Sequence, residues 1–119
     1  MITVEQIKDW SNERARRELS ERIEAFIDDE IKEQLLDGRK YFIRISTGYR
    51  DRQSHYKSDF YELWCNEEMS QTSLMKVRNE IIAKYEAIGL KVISRDYDEG
   101  CHSLYPGLEI RIPQELLES

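Results

Sequence analysis

Apolar residues recur at helical spacing through the first third of the chain. One stripe of them runs along residues 19–35 and consists of Leu19, Ile23, Phe26, Ile27, Ile31 and Leu35. Thr3 and Gln6 fit a capping box, in which each side chain accepts a hydrogen bond from the backbone N–H of the other. Gly38 is well placed to end a helix in the left-handed conformation. The pattern therefore predicts a helix over residues 1–37.

The apolar stripe lapses between residues 11 and 14. A separate apolar group precedes this gap and consists of Val4, Ile7 and Trp10. A straight helix over residues 4–37 would be about 50 Å long at about 1.5 Å per residue, whereas a globule of this mass is only about 35 Å across. We therefore expect the helix to break near Ser11, with residues 1–11 as a detached helical segment, or to pack on a second copy of the chain.

The rest of the chain alternates between strand and helix patterns. Strands are predicted over residues 41–47, 59–65, 91–97 and 108–112, and a second helix lies before Gly89. Residues 59–65 also fit a short helix, and residues 98–107 connect the last two strands. The order α-β-β-α-β-β predicts an α+β fold with an antiparallel four-stranded sheet and both helices packed on one face. No linker pattern interrupts the chain, so we expect residues 1–119 to form a single domain.

The chain is acidic, with 35% charged residues and a net charge of −6. This charge argues against general nucleic-acid binding, which depends on Lys and Arg, and it suits a basic protein partner. No apolar run approaches the roughly 20 residues of a membrane span, and the N-terminus lacks the apolar region of a signal peptide. We therefore expect a cytoplasmic protein in which Cys65 and Cys101 are reduced thiols.

A basic loop rich in tyrosine is predicted after the first strand. Residues 41–58 hold four basic side chains against one acidic side chain. The candidate binding residues are Tyr49, Arg50, Arg52, His55, Tyr56 and Lys57. Guanidinium groups and tyrosines suit a phosphate or a stacked base, and they are equally common in the hot spots of protein interfaces. No glycine-rich phosphate cradle accompanies the loop, so both interpretations stay open beside a merely solvated loop.

A second group of titratable residues follows the predicted strand over residues 91–97. Asp96 and Asp98 could hold a divalent cation through oxygen ligands, with His102 as a base. A zinc site could be drawn by count from His55, Cys65, Cys101 and His102, but it lacks the closely spaced ligand pairs typical of zinc. We assign no catalytic residue, no metal ligand and no cofactor on this pattern.

The sequence also shows one plan twice, in which a helix ends at a glycine and leads into a strand. Residues 31–38 lead into residues 41–45, and residues 85–92 lead into a hairpin that ends over residues 108–113. In this plan the chain resembles small accessory proteins of bacteriophages. The resemblance implies a non-enzymatic role, such as a virion accessory part or an inhibitor of a host protein, and it carries over no functional residue.

Three functional hypotheses follow from these patterns. The first is a non-enzymatic protein-interaction module whose acidic surface binds a basic host protein, with Trp10 as a candidate interface anchor and the N-terminal helix as a candidate homodimer contact. The second is a small nucleotide- or RNA-binding protein that uses the loop over residues 49–57. The third is a metal-assisted hydrolase at Asp96, Asp98 and His102.

Overall fold

The computed structural model describes residues 1–48, 59–98 and 104–117. Its elements, in chain order, are α1 (Val4–Leu36), β1 (Phe42–Ser46), α2 (Asp59–Trp64), α3 (Gln71–Ala87), β2 (Lys91–Asp98), β3 (Leu104–Arg111) and α4 (Gln114–Leu117). The predicted α+β class is confirmed.

The first helix, α1, has the predicted signals at both of its ends. Thr3 Oγ1 accepts a hydrogen bond from the Gln6 N–H at 3.1 Å, and Gln6 Oε1 accepts one from the Thr3 N–H at 3.0 Å. At the other end Gly38 adopts a φ of 107°, and the Arg39 N–H donates to the carbonyl of Gln34. This pairing satisfies a carbonyl that the helix itself leaves without a donor.

The predicted break near Ser11 is wrong, because α1 is a single helix of 33 residues. Glu13 and Arg14, two of the residues that interrupt the apolar stripe, are good helix formers, and ion pairs one turn apart join Arg14 to Glu18 and Arg17 to Glu13. The lapse in the stripe marks where α1 leaves the core rather than where it ends. The molecule is consequently elongated, with a longest dimension of 56 Å.

The sheet has three antiparallel strands in the order β1-β3-β2. The last strand, β3, is central: Ile110 lies opposite Ile43 of β1 and opposite Val92 of β2. Only the second of the two predicted hairpins therefore forms. Its connection is also shorter than expected, since β3 begins at Leu104 and includes Pro106 and Gly107.

The predicted four-stranded sheet is wrong because residues 59–64 form the short helix α2. Phe60, Leu63 and Trp64 are the buried residues of this helix. Their spacing of three and four places them on one side of a helix, whereas a strand would divide them between two faces. Phe60 lies between Phe26 of α1 and Trp64, with ring centroids 5.2 and 5.4 Å apart.

The hydrophobic core lies between one face of the sheet and the helices α1, α2 and α3. The sheet contributes Ile43, Ile45, Leu108 and Ile110. The two long helices contribute Leu19, Ile23, Ile27, Leu74, Val77 and Ile81. The other face of the sheet points away from these helices, because neighbouring residues of a strand alternate between faces.

Polar contacts fix α1 on α3. Tyr85 Oη donates to Asp28 Oδ1 at 2.6 Å and lies 3.2 Å from the carbonyl oxygen of Glu24, and Lys84 Nζ lies 2.6 Å from Glu24 Oε1. Burial, together with the hydrogen bond to the Asp28 carboxylate, raises the pKa of Tyr85 well above its usual value. The hydroxyl therefore stays a proton donor throughout the neutral range.

We expect the substitution Tyr85→Phe to lower the free energy of unfolding by about 1–2 kcal/mol, because it removes a hydrogen bond to a charged group. Tyr41→Phe is the matched control, since Tyr41 is 50% exposed. Urea denaturation of both variants checks the prediction. Equal stabilities of the two variants would contradict it.

Candidate functional site

The first 15 residues of the chain are exposed along their whole length, and we refer to them as the arm. From Val4 onward the arm is part of α1, but the first buried residue of that helix is Leu19. Four turns of helix therefore project beyond the part of α1 that packs on the core.

Large apolar side chains are exposed on the arm. The helical ones, which we refer to as the arm triad, are Val4, Ile7 and Trp10, with exposed fractions of 68%, 56% and 51%. Met1 and Ile2, which precede the helix, are exposed as well. At about 100° per residue, the arm triad lies on the side of α1 opposite to Leu19, Ile23 and Ile27. The arm triad therefore faces away from the body of the protein.

The second part of α1 is strongly acidic. Residues 18–37, which we refer to as the acidic segment, hold eight acidic and two basic side chains. That surplus of six carboxylates matches the net charge of −6 of the whole chain. Residues 1–17 hold three acidic and four basic side chains. The surface of α1 thus changes along its length from apolar and nearly neutral to acidic.

A groove with a volume of about 420 Å³ lies between α1 and the connection from α2 to α3. Among its lining residues are Asn12, Glu18 and Arg22 of α1 and Asn66, Glu68 and Met69 of the connection. A neighbouring depression of about 540 Å³ shares Arg22, Asn66 and Glu68 and adds Glu62 and Glu67. The groove and the depression, which together we refer to as the acidic groove, are lined by four carboxylates and one guanidinium, and they extend the acidic segment.

The predicted site residues fall partly outside the described structure. Trp10 lies on the exposed face of the arm. The six loop residues, Tyr49, Arg50, Arg52, His55, Tyr56 and Lys57, all lie outside the described residues. Their role in binding stays a prediction.

The candidate metal site is described only in part. Asp96 is exposed near the end of β2, Asp98 closes that strand, and His102 lies outside the described residues. Over residues 1–48, 59–98 and 104–117, no three His, Cys, Asp or Glu side chains are grouped as metal ligands. The metal-assisted hydrolase therefore stays a prediction.

Sequence reasoning missed the acidic groove. Arg22, Asn66 and Glu68 are brought together only when α1 packs beside the connection from α2 to α3, and no local spacing signals this. The acidic segment, in contrast, can be found by counting charges along the predicted helix.

Comparison with known proteins gives no further assignment. No protein-family model matches the chain, and no curated protein or solved structure is detectably similar to it. None of the helices in the described ranges has the length and apolar character of a membrane span.

Because every residue of the arm is exposed, we expect Ser11→Pro to break the helix of the arm without changing the urea midpoint of the protein. Circular dichroism should show the loss of helix. Ala25→Pro is the control, since it places the same residue where α1 is packed, and it should cost about 3 kcal/mol or more. An equal loss of stability in both variants would show that the body holds the arm.

Proposed function

We propose that the protein is a non-enzymatic interaction module that binds another protein through the arm and the acidic segment. The exposed arm triad is the observation that carries this proposal. Contiguous apolar side chains exposed on a helix mark an interaction surface, and these three face away from the only core described. Burying a side chain of this kind contributes roughly 1.5–3 kcal/mol, so covering the exposed half of each would supply a few kcal/mol.

The continuity of α1 adds to this binding energy. An isolated helix of about 12 residues is marginal in water, because the first turn is costly to form. The arm grows from a helix whose second half is fixed by Leu19, Ile23 and Ile27. A partner therefore meets a helix that is already formed, and less ordering entropy is lost on binding.

The negative charge beside the arm indicates the chemistry of the partner's binding surface. The acidic segment and the acidic groove lie beside the arm, so the complementary surface is an apolar cleft flanked by Lys and Arg side chains. A second copy of the chain would bring its own net charge of −6 into the contact, which favours a basic partner over self-association. An inhibitor that covers a basic groove of a host protein suits this chemistry and the phage-type resemblance.

The double substitution Ile7→Ala with Trp10→Ala should abolish capture of this partner, because it removes two of the three apolar side chains of the arm triad. Met75→Ala is the control, since Met75 is a 46% exposed apolar residue on α3. The measurement compares the proteins that the wild type and both variants retain from a host lysate. A partner retained equally by both variants would exclude the arm as the binding surface.

Charge reversal tests the acidic segment separately. Glu21→Lys with Asp29→Lys should weaken the purified partner's affinity and flatten its salt dependence. Glu80→Lys with Glu86→Lys makes the same charge change at exposed positions of α3 and should have little effect. Isothermal titration at several salt concentrations gives both the affinity and its salt dependence.

Light scattering of the free protein gives its mass. A dimer that the arm substitutions dissociate would identify a second copy of the chain as the partner of the arm.

A further inference from the structure

The face of the sheet turned away from the helices carries a basic and aromatic surface. The register places Phe42, Arg111 and Lys91 in one row across the three strands. The next row of residues on this face consists of Arg44, Glu109 and Ile93, and the third row consists of Ser46, Gly107 and Arg95. The rows between them contain the buried Ile43, Ile45, Leu108 and Ile110. These three rows form what we refer to as the outer sheet face.

The charge of the outer sheet face is opposite to that of the whole chain. Its three rows hold four basic side chains and one carboxylate, that of Glu109, whereas the net charge is −6. Most of the acidic segment of α1 packs toward the other face of the sheet, its end reaches the β1 backbone at Gln34, and the layers of a fold are about 10 Å apart. Charges at that separation are largely screened at physiological salt, where the Debye length is about 8 Å. A negatively charged ligand that approaches this face therefore meets a local positive potential.

Glu109 holds two of the guanidinium groups in place. Its Oε2 lies 3.0 Å from Arg111 Nε and 3.3 Å from Arg95 Nε. Burial acts to raise the pKa of Glu109, but the hydrogen bonds and charges of Arg111 and Arg95 outweigh it and hold the pKa below its usual value. The Glu109 side chain is 15% exposed, whereas those of Arg95 and Arg111 are 46% and 49% exposed. Glu109 thus holds both guanidinium groups against the sheet, and their exposed sides are accessible to an anion.

Arg44 is held flat on the same face. Its guanidinium carbon lies 4.5 Å from the centroid of the buried Tyr97 ring, and that ring packs against Gly107, where a Cβ atom would come within 2.7 Å of it. The Gln34 side chain holds the Arg44 backbone, donating to its carbonyl at 2.8 Å and accepting from its N–H at 3.2 Å. The exposed Arg44 and the 44% exposed Phe42 are planar groups on which a base can stack.

We propose that the outer sheet face binds single-stranded nucleic acid, with Lys91, Arg95 and Arg111 on phosphates and bases stacked on Phe42 and Arg44. A single strand fits because its bases are free to stack on protein side chains, whereas those of a duplex are stacked on each other. None of the five residues proposed to contact the nucleic acid belongs to the arm or the acidic segment, so variants can test the two surfaces separately.

Fluorescence anisotropy of the full chain with a labelled single-stranded RNA of about ten nucleotides tests the proposal, since that length spans one site of this kind. We expect binding at about 50 mM salt, with a slope of log K against log salt of about −2 for three phosphates at about 0.7 each. A duplex of the same length should bind more weakly.

Neutral variants locate the site. Lys91→Gln with Arg95→Gln should weaken binding about tenfold, whereas Lys32→Gln with Lys76→Gln removes the same charge from exposed positions of α1 and α3 and should leave it unchanged. Phe42→Ala, at an exposed position, should weaken binding about fivefold or more through lost stacking. The arm substitutions should have no effect, which separates this site from the protein interface.

Several results would overturn the proposal. These are the absence of binding at low salt, equal losses in the two double variants, or duplex binding as tight as that of the single strand. Competition by polyglutamate as effective as that by unlabelled RNA would also overturn it, because the face would then recognise an acidic peptide rather than stacked bases.

Discussion

Burial of only the second half of α1 is the constraint on which the rest of the structure depends. Leu19, Ile23 and Ile27 pack on the sheet and on α3, and they fix the direction of the whole helix. Because an α-helix is stiff and α1 is unbroken, its first four turns must follow that direction into solvent. The exposure of Val4, Ile7 and Trp10 is therefore a geometric consequence of how the core holds the residues that follow them.

The same arrangement separates charges of opposite sign. Packing of α1 on one face of the sheet places its surplus of carboxylates on the helical side, and the register of the strands places Arg44, Lys91, Arg95 and Arg111 on the other side. The net charge of −6 is a sum over the whole chain and does not describe the charge of either the helical side or the outer sheet face. The two sides therefore differ in the charge that they present to solvent, because screening in salt keeps the two fields local.

The features that were predicted correctly from the sequence are local ones. The capping box of Thr3 and Gln6, the glycine stops at Gly38 and Gly89, the helix α3 and the strand β2 each depend on residues within a few positions of one another. The errors concern tertiary contacts. The seven residues 59–65 fit both the helical and the strand period. Burial of Phe60 and Trp64 beside Phe26 stabilises the helix. Likewise, a lapse in an apolar stripe shows where a helix leaves the core, but it does not show whether the helix ends there. Trp10 was predicted as an interface anchor from that lapse, whereas the acidic groove and the outer sheet face need the assembled fold.

Amide hydrogen exchange of the free protein in dilute solution tests most directly whether the arm is independent of the body. Amides of residues 4–15 should show only the weak protection of a helix that is formed but opens locally, while those of residues 23–35 should be protected close to the level of global unfolding. Equal protection in the two ranges, unchanged on dilution, would show that the body covers the arm and would contradict its assignment as an open interaction surface.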